Sequence, residues 1–308
     1  MSRSSLRRGI YQEAGGRLLR RQYEEHAMAI DFGRNITIDG AEAHLDPDTL
    51  MVAHSRSANL AAQQLYQETV VQELLQLQMY LTPQAVLRAI ARAQRRVRIM
   101  PLLRPVHNAF TGPRNHAAAT SRGAPLRDGS GNLLRGHRHG VGGGSDAIIE
   151  YSPLRFDSDQ TPCWSDAAAR AWREINLTPA PPTAGQDTGE ALLHELVHAL
   201  NELAGVETRA PMGQSFETVE EYYSVMVVNM YASERRRNFR ASHGFEEIAN
   251  PWALSVSPQQ RLAIERFRNR HPALARDLEG LQVPYNPFRP GVHSPAALGR
   301  ALGAPPGS

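Results

Sequence analysis

Leu193-His194-Glu195-Leu196-Val197-His198-Ala199-Leu200 is the stretch around which the chain is organised. Two histidines four residues apart stand one above the other on a single helix face. Their imidazoles can then share one metal ion. Glu195, next to the first of them, can take a proton from a water molecule that the ion activates. The helix around the motif is well marked. Asp187-Thr188-Gly189-Glu190 fits a capping box, with Asp187 as N-cap and Glu190 reaching back. Leu192, Leu193, Leu196, Val197, Leu200 and Leu203 supply a broad apolar face, and Gly205 follows as the stop. The competing reading of the motif alone is an ordinary helix with two core histidines.

A catalytic zinc centre needs three protein ligands and one open position. The extended pattern with glycine and then a third histidine is not met, because Asn201 and Ala204 occupy those places. The chain has one cysteine, Cys163, which allows neither an internal disulfide nor a cysteine-based site. The third ligand is therefore expected to be a carboxylate from a second helix, the one opened by Thr218-Val219-Glu220-Glu221. Glu221 is preferred, since Ser224, Val225 and Val228 on its face are small enough for a second helix to approach. Glu220 is the alternative ligand, or else a solvated first-turn acid favoured by the helix dipole. The expected set is thus His194, His198 and Glu221 around one Zn²⁺, with Glu195 as the catalytic base. Tyr222, Tyr223, Tyr231, Arg240 and His243 are candidates for stabilising an oxyanion. Asn201, on the His198 face, is a candidate to orient that ligand. This is the arrangement of the Glu-zincins. It implies an α+β, zincin-like fold: a small mixed sheet, an active-site helix, a second ligand-bearing helix, and helical parts at both ends.

Composition narrows the function classes. With 308 residues and 41% hydrophobic content the chain can bury a substantial core. No apolar run is long enough to span a bilayer, and Met1 to Arg8 contains no apolar stretch of a Sec signal peptide. The net charge is only +3, the arginines fall in scattered groups, and aromatics make up 6%, so nucleic-acid binding is not expected. All 34 basic residues are arginine. A GC-rich genome explains part of this. The other explanation is that the protein acts where exposed lysine, the site of ubiquitination, is a liability.

Taken in order, residues 1–25 read as a flexible leader with a short helix near Arg17 to His26, and residues 26–283 as one metallopeptidase domain with its core at 95–250. Asn35 to Gly40 alternates as a short strand. A helix is expected from about Asp48 to Leu81, and another from Pro83 to Arg96. Val97 to Met100 reads as a strand. Residues 102–144, with His107, His116, His137 and His139, read as solvent-exposed loop. Ala147 to Tyr151 is a strand, expected to form a sheet edge that pairs with an extended substrate. Trp164 to Ile175 is an amphipathic helix, Ser257 to Leu281 a last helix interrupted near Pro272, and residues 284–308 a Pro/Gly-rich tail.

The Gly-rich turn with Ser145-Asp146, the strand ending Tyr151-Ser152-Pro153, the motif from His194 to Ala199 and the Glu220-Glu221 helix follow one another in an order that resembles the NleD-like effector zinc metallopeptidases of bacterial pathogens, typified also by the HopH effectors. The segment from Glu221 through Tyr231, Glu234, Arg240 and His243 is similar to a related group of bacterial toxin metallopeptidases. The resemblance covers roughly residues 95–250. It implies a zinc-dependent endopeptidase secreted by a non-Sec bacterial route into a host cytosol, acting on host signalling proteins bound as extended peptides. A zinc hydrolase with a non-protein substrate and a catalytically dead adaptor are the alternatives.

Overall fold

A computed structural model of the chain describes residues 29–40, 43–45, 52–54, 60–102, 109–120, 122–127, 131, 133–154, 183–185, 187–213, 215–244 and 246–291. The strands are β1 (Ile30–Phe32), β2 (Ile36–Ile38), β3 (Ala43–Leu45), β4 (Val52–His54), β5 (Val97–Pro101), β6 (Ala109–Pro113), β7 (Arg122–Arg127), β8 (Leu133–Gly140), β9 (Ala147–Tyr151), β10 (Phe239–Arg240) and β11 (Glu247–Ile248). The helices are α1 (Leu60–Leu77), α2 (Leu81–Arg92), α3 (His116–Ala119), α4 (Thr188–Ala204), α5 (Val219–Glu234), α6 (Pro258–Arg270) and α7 (Pro272–Glu279).

Five strands form a mixed sheet in the order β1-β2-β5-β9-β6. β2, β5 and β9 run parallel, while β1 and β6 close the two edges antiparallel. The pattern follows from burial. β9 is an unbroken run, Ala-Ile-Ile-Glu-Tyr, and every residue of it is buried. Such a strand belongs inside a sheet covered on both faces. Ile38, Val97, Ile99 and Ile149 from the three parallel strands join one core with the apolar faces of α1, α2, α4 and α5.

α4 is pinned at both ends. Asp187 accepts a hydrogen bond from the Glu190 N–H at its start. Gly205 ends it with φ of 68°, where a side chain would run into the Gly142 backbone. The glycine turn before β9 lies against this end. Gly142 N–H donates to Gly205 O at 2.6 Å and Ser145 N–H to Glu202 O at 3.0 Å. The turn and β9 thereby set the height of α4 over the sheet. α5 is buried almost all round, as a helix that crosses the middle of a core must be. Among the described residues no helix is long and apolar enough to cross a membrane.

Several expectations change. The first long helix starts at Leu60, not near Asp48, and Val52–His54 pairs with Ala43–Leu45 as a hairpin. Residues 102–144 are not simply loop: they supply β6, α3 and the β7–β8 hairpin. As a result β9 is an interior strand, and the sheet edge beside α4 is β6. Glu190 does not complete a capping box. Its Oε2 accepts from the Gly185 N–H instead, at 2.8 Å. The expected tail is packed from Tyr285 to Phe288, with Tyr285, Asn286 and Phe288 buried. The break at Pro272 is present, between α6 and α7. The leader, the helix at 164–175, Cys163 and the stretch beyond 291 lie outside the described residues.

Candidate metal centre

Helix geometry stacks His194 and His198 on the side of α4 that faces the first turn of α5. There His194 Nε2 lies 2.9 Å from Glu221 Oε2. His198 Nε2 lies 3.2 Å from the same oxygen and 3.1 Å from His194 Nε2. Ligand atoms around a tetrahedral ion with bonds of about 2.0–2.1 Å stand roughly 3.3 Å apart. The three side chains therefore come together at ligand spacing, and this buried group can hold a metal ion. Among the described residues no other set of three or more His, Cys, Asp or Glu side chains does so.

The electrostatics point the same way. Burial opposes charge on both histidines. It drives His194 down to about 3, helped by the neighbouring His198. At His198 burial is outweighed by the Glu221, Glu195 and Glu220 carboxylates, and its pKa rises to about 9. Burial alone would raise Glu221, but His198 and the hydrogen bonds from both rings hold it well below the usual carboxylate range. Without a metal, the His198 proton offsets the charge of Glu221; a cation bound by the three groups would take that proton's place.

Glu195 is 8% exposed and sits beside this group. Burial pushes its carboxyl up, against the pull of His198 and a hydrogen bond from Thr111. Thr111, in the middle of β6, donates its hydroxyl to Glu195 Oε2 at 2.7 Å. Sequence pattern does not reveal this residue, because its segment reads as loop.

Glu220 is not a solvated first-turn acid. It is buried, and its carboxylate points away from the histidine Nε2 atoms toward Asn201, Thr208 and the Nδ1 side of His198. The neighbouring Glu221 gives the N-cap Thr218 only its backbone N–H, while its carboxylate turns to the two histidines.

The structure divides the oxyanion candidates. Tyr222 donates to Leu254 O in the core at 2.9 Å. Tyr223 packs edge-on against Phe267, and Tyr231 accepts from Arg235 and packs edge-on against Tyr80. None of the three tyrosines faces the centre. Arg240 is buried, with its backbone tied to Asn229 and its guanidinium on the carbonyls of His243 and Gly244. It holds the turn that carries His243. His243 itself is at the site, 40% exposed, its ring parallel to that of His194. Its Nε2 lies 3.2 Å from Glu221 Oε2 and its Nδ1 2.9 Å from Glu217 Oε2.

No protein-family model, curated protein or solved structure matches the chain. The chemistry of the site has to be argued from its own residues.

Proposed function

We propose that the protein is a zinc-dependent metalloendopeptidase with a zincin-like catalytic core. The observation that carries this reading is the convergence of His194 Nε2, His198 Nε2 and Glu221 Oε2, with Glu195 buried beside them. Two imidazoles and one carboxylate, with no cysteine, are a donor set that suits zinc and leaves a position for water. Zinc held by these residues supplies a Lewis acid that activates water and polarises a carbonyl.

The chain's own groups do the rest. Glu195 takes the proton of the attacking water and delivers it to the leaving amine. Its raised pKa brings it nearer to neutral pH, where a base of this kind works best. Thr111 keeps the carboxylate aimed. His243 offers a ring N–H at the mouth of the site, where charge develops on the substrate carbonyl. β6, the strand bearing Thr111, is an edge strand among the described residues, and an extended peptide can lie along its outer side.

The order of motifs in residues 95–250 supports membership of the NleD/HopH-like effectors. The absence of lysine supports delivery into a host cytosol, and the same resemblance supports a host signalling protein as substrate. The test is elemental analysis followed by cleavage-site profiling of a cell extract, with Glu195→Gln as the control. About one zinc per chain and cleavages absent from the control are expected. A folded protein that takes up no zinc would sink the reading. Zinc without any peptide cleavage would favour a hydrolase with a different substrate.

A further inference from the structure

A line of buried polar contacts runs from the last helices to the back of the centre. His271, between α6 and α7, packs its ring against Phe267 at 5.0 Å and brings Nε2 to 2.6 Å from Asn201 Oδ1. That oxygen can only accept, so His271 is the donor and the Asn201 amide group faces the other way. There it donates to Glu220 Oε2, while the Thr208 N–H donates to Glu220 Oε1 at 3.0 Å. Glu220 Oε2 in turn stands at ion-pair distance, 4.0 Å, from His198 Nδ1. Asn201, Glu220 and His271 are 1%, 6% and 7% exposed. A buried carboxylate is costly, and this one is kept at the end of a chain of donors that all point toward it. The two histidines differ here: among the described residues His194 Nδ1 is buried with no hydrogen-bond partner, whereas His198 Nδ1 has the Glu220 carboxyl group near it.

We propose that Glu220, held by Thr208, Asn201 and, through Asn201, His271, is a positioning residue for His198. It places a carboxyl group on the Nδ1 side of that ring and keeps its Nε2 turned toward Glu221 and His194. A histidine that ligates through one nitrogen is aimed by the partner of the other, and loss of such a partner typically weakens metal binding about 10–100-fold. The inference rests on the metal-centre reading above. It also gives the C-terminal helices a part in the site, 70 residues downstream of Asn201.

The experiment uses the full chain. Zn²⁺ affinity is measured by competition with a chelator, and the His198 imidazole is followed by ¹⁵N spectra of the zinc-loaded protein. Glu220→Gln should weaken zinc about 10–100-fold and shift the His198 nitrogens. His271→Leu, which leaves Asn201 Oδ1 without its donor, should weaken zinc by a smaller factor, and His271→Gln, which restores a donor, should recover it. Wild-type zinc affinity in Glu220→Gln would overturn the inference, as would equal losses in the two His271 variants. If His271→Leu does not fold, the Glu220→Gln measurement decides alone. Glu221→Gln separates the two readings. If it binds zinc no worse than wild type, the metal centre itself is wrong and this inference falls with it. If it loses zinc while Glu220→Gln does not, only this inference falls.

Discussion

The Thr111 hydroxyl and Glu195 Oε2, 2.7 Å apart, join the edge strand of the sheet to the helix that bears His194 and His198. A hydrogen bond to a charged group contributes about 1.5–3 kcal/mol. Thr111→Val keeps the shape and removes the donor. Cleavage should fall roughly 10–100-fold in kcat, with zinc content unchanged. Thr111→Ser should stay close to wild type. Steady-state kinetics on a peptide found by profiling checks this, and an unimpaired valine variant would show that Thr111 has no hold on the base.

Glu221 and Glu220 are neighbours, so a helix turns them about 100° apart and only one can face the histidine Nε2 atoms. The structure puts Glu221 there. Because the Thr218 cap uses the Glu221 backbone N–H, Glu221→Gln leaves the cap in place. It should lose zinc under mild chelation, with affinity down by orders of magnitude, since two histidines make an incomplete site. Dialysis against a weak chelator followed by metal analysis reads this directly. Retention of a full zinc complement would remove Glu221 from the ligand set.

His243 is the one oxyanion candidate from the sequence whose side chain reaches the centre. His243→Ala should lower kcat about 10–100-fold with a smaller change in KM, as expected for a donor that acts mainly in the transition state. Tyr222→Phe, by contrast, should cleave normally and lose only about 1 kcal/mol of stability, the contribution of its bond to Leu254 O. The reverse pattern, an active His243→Ala and an inactive Tyr222→Phe, would shift the role to the tyrosine.

Where a residue's role depends on local periodicity, the sequence was a good guide. α4, its cap Asp187 and its stop Gly205, the Glu221-bearing helix, β9 and the break at Pro272 all follow from spacing and from turn or cap residues. β6 was hidden because Gly112 and Pro113 read as loop. An edge strand tolerates both, since among the described residues β6 pairs on one side only. The error at Asp48 is of the same kind: the β3–β4 pairing is a contact between separate segments, which a helical pattern of apolar residues cannot reveal. Thr111 and His271 were invisible for a further reason. Each acts on a residue 70 or more positions away, and neither residue type stands out in its own segment.

The entrance of α4 carries a titration of its own. Thr188 donates its hydroxyl to Glu73 Oε1, at 2.8 Å, and Asp187 is gripped by Arg235 and Arg237. Burial, with the charge of Asp187 added, pushes Glu73 up to about 7 against the pull of the Thr188 hydrogen bond. Burial and Asp187 likewise raise Glu190 to about 6. An acid whose folded pKa lies above its ordinary 4.5 holds its proton more tightly in the folded state. The unfolded chain therefore releases that proton first as pH rises, and folding stability falls between about pH 4.5 and 7, then levels off. For Glu73, which keeps some contact with solvent, the loss should be about 1–2 kcal/mol. Glu73→Gln keeps an acceptor for Thr188 and removes the titration. It should match wild type near pH 4 and exceed it by about that amount at pH 8. Urea denaturation of both proteins across this range measures the difference, in which any effect of metal binding common to the two cancels. Parallel stability curves for the two proteins would show that the Glu73 carboxyl titrates alike in the folded and unfolded chain.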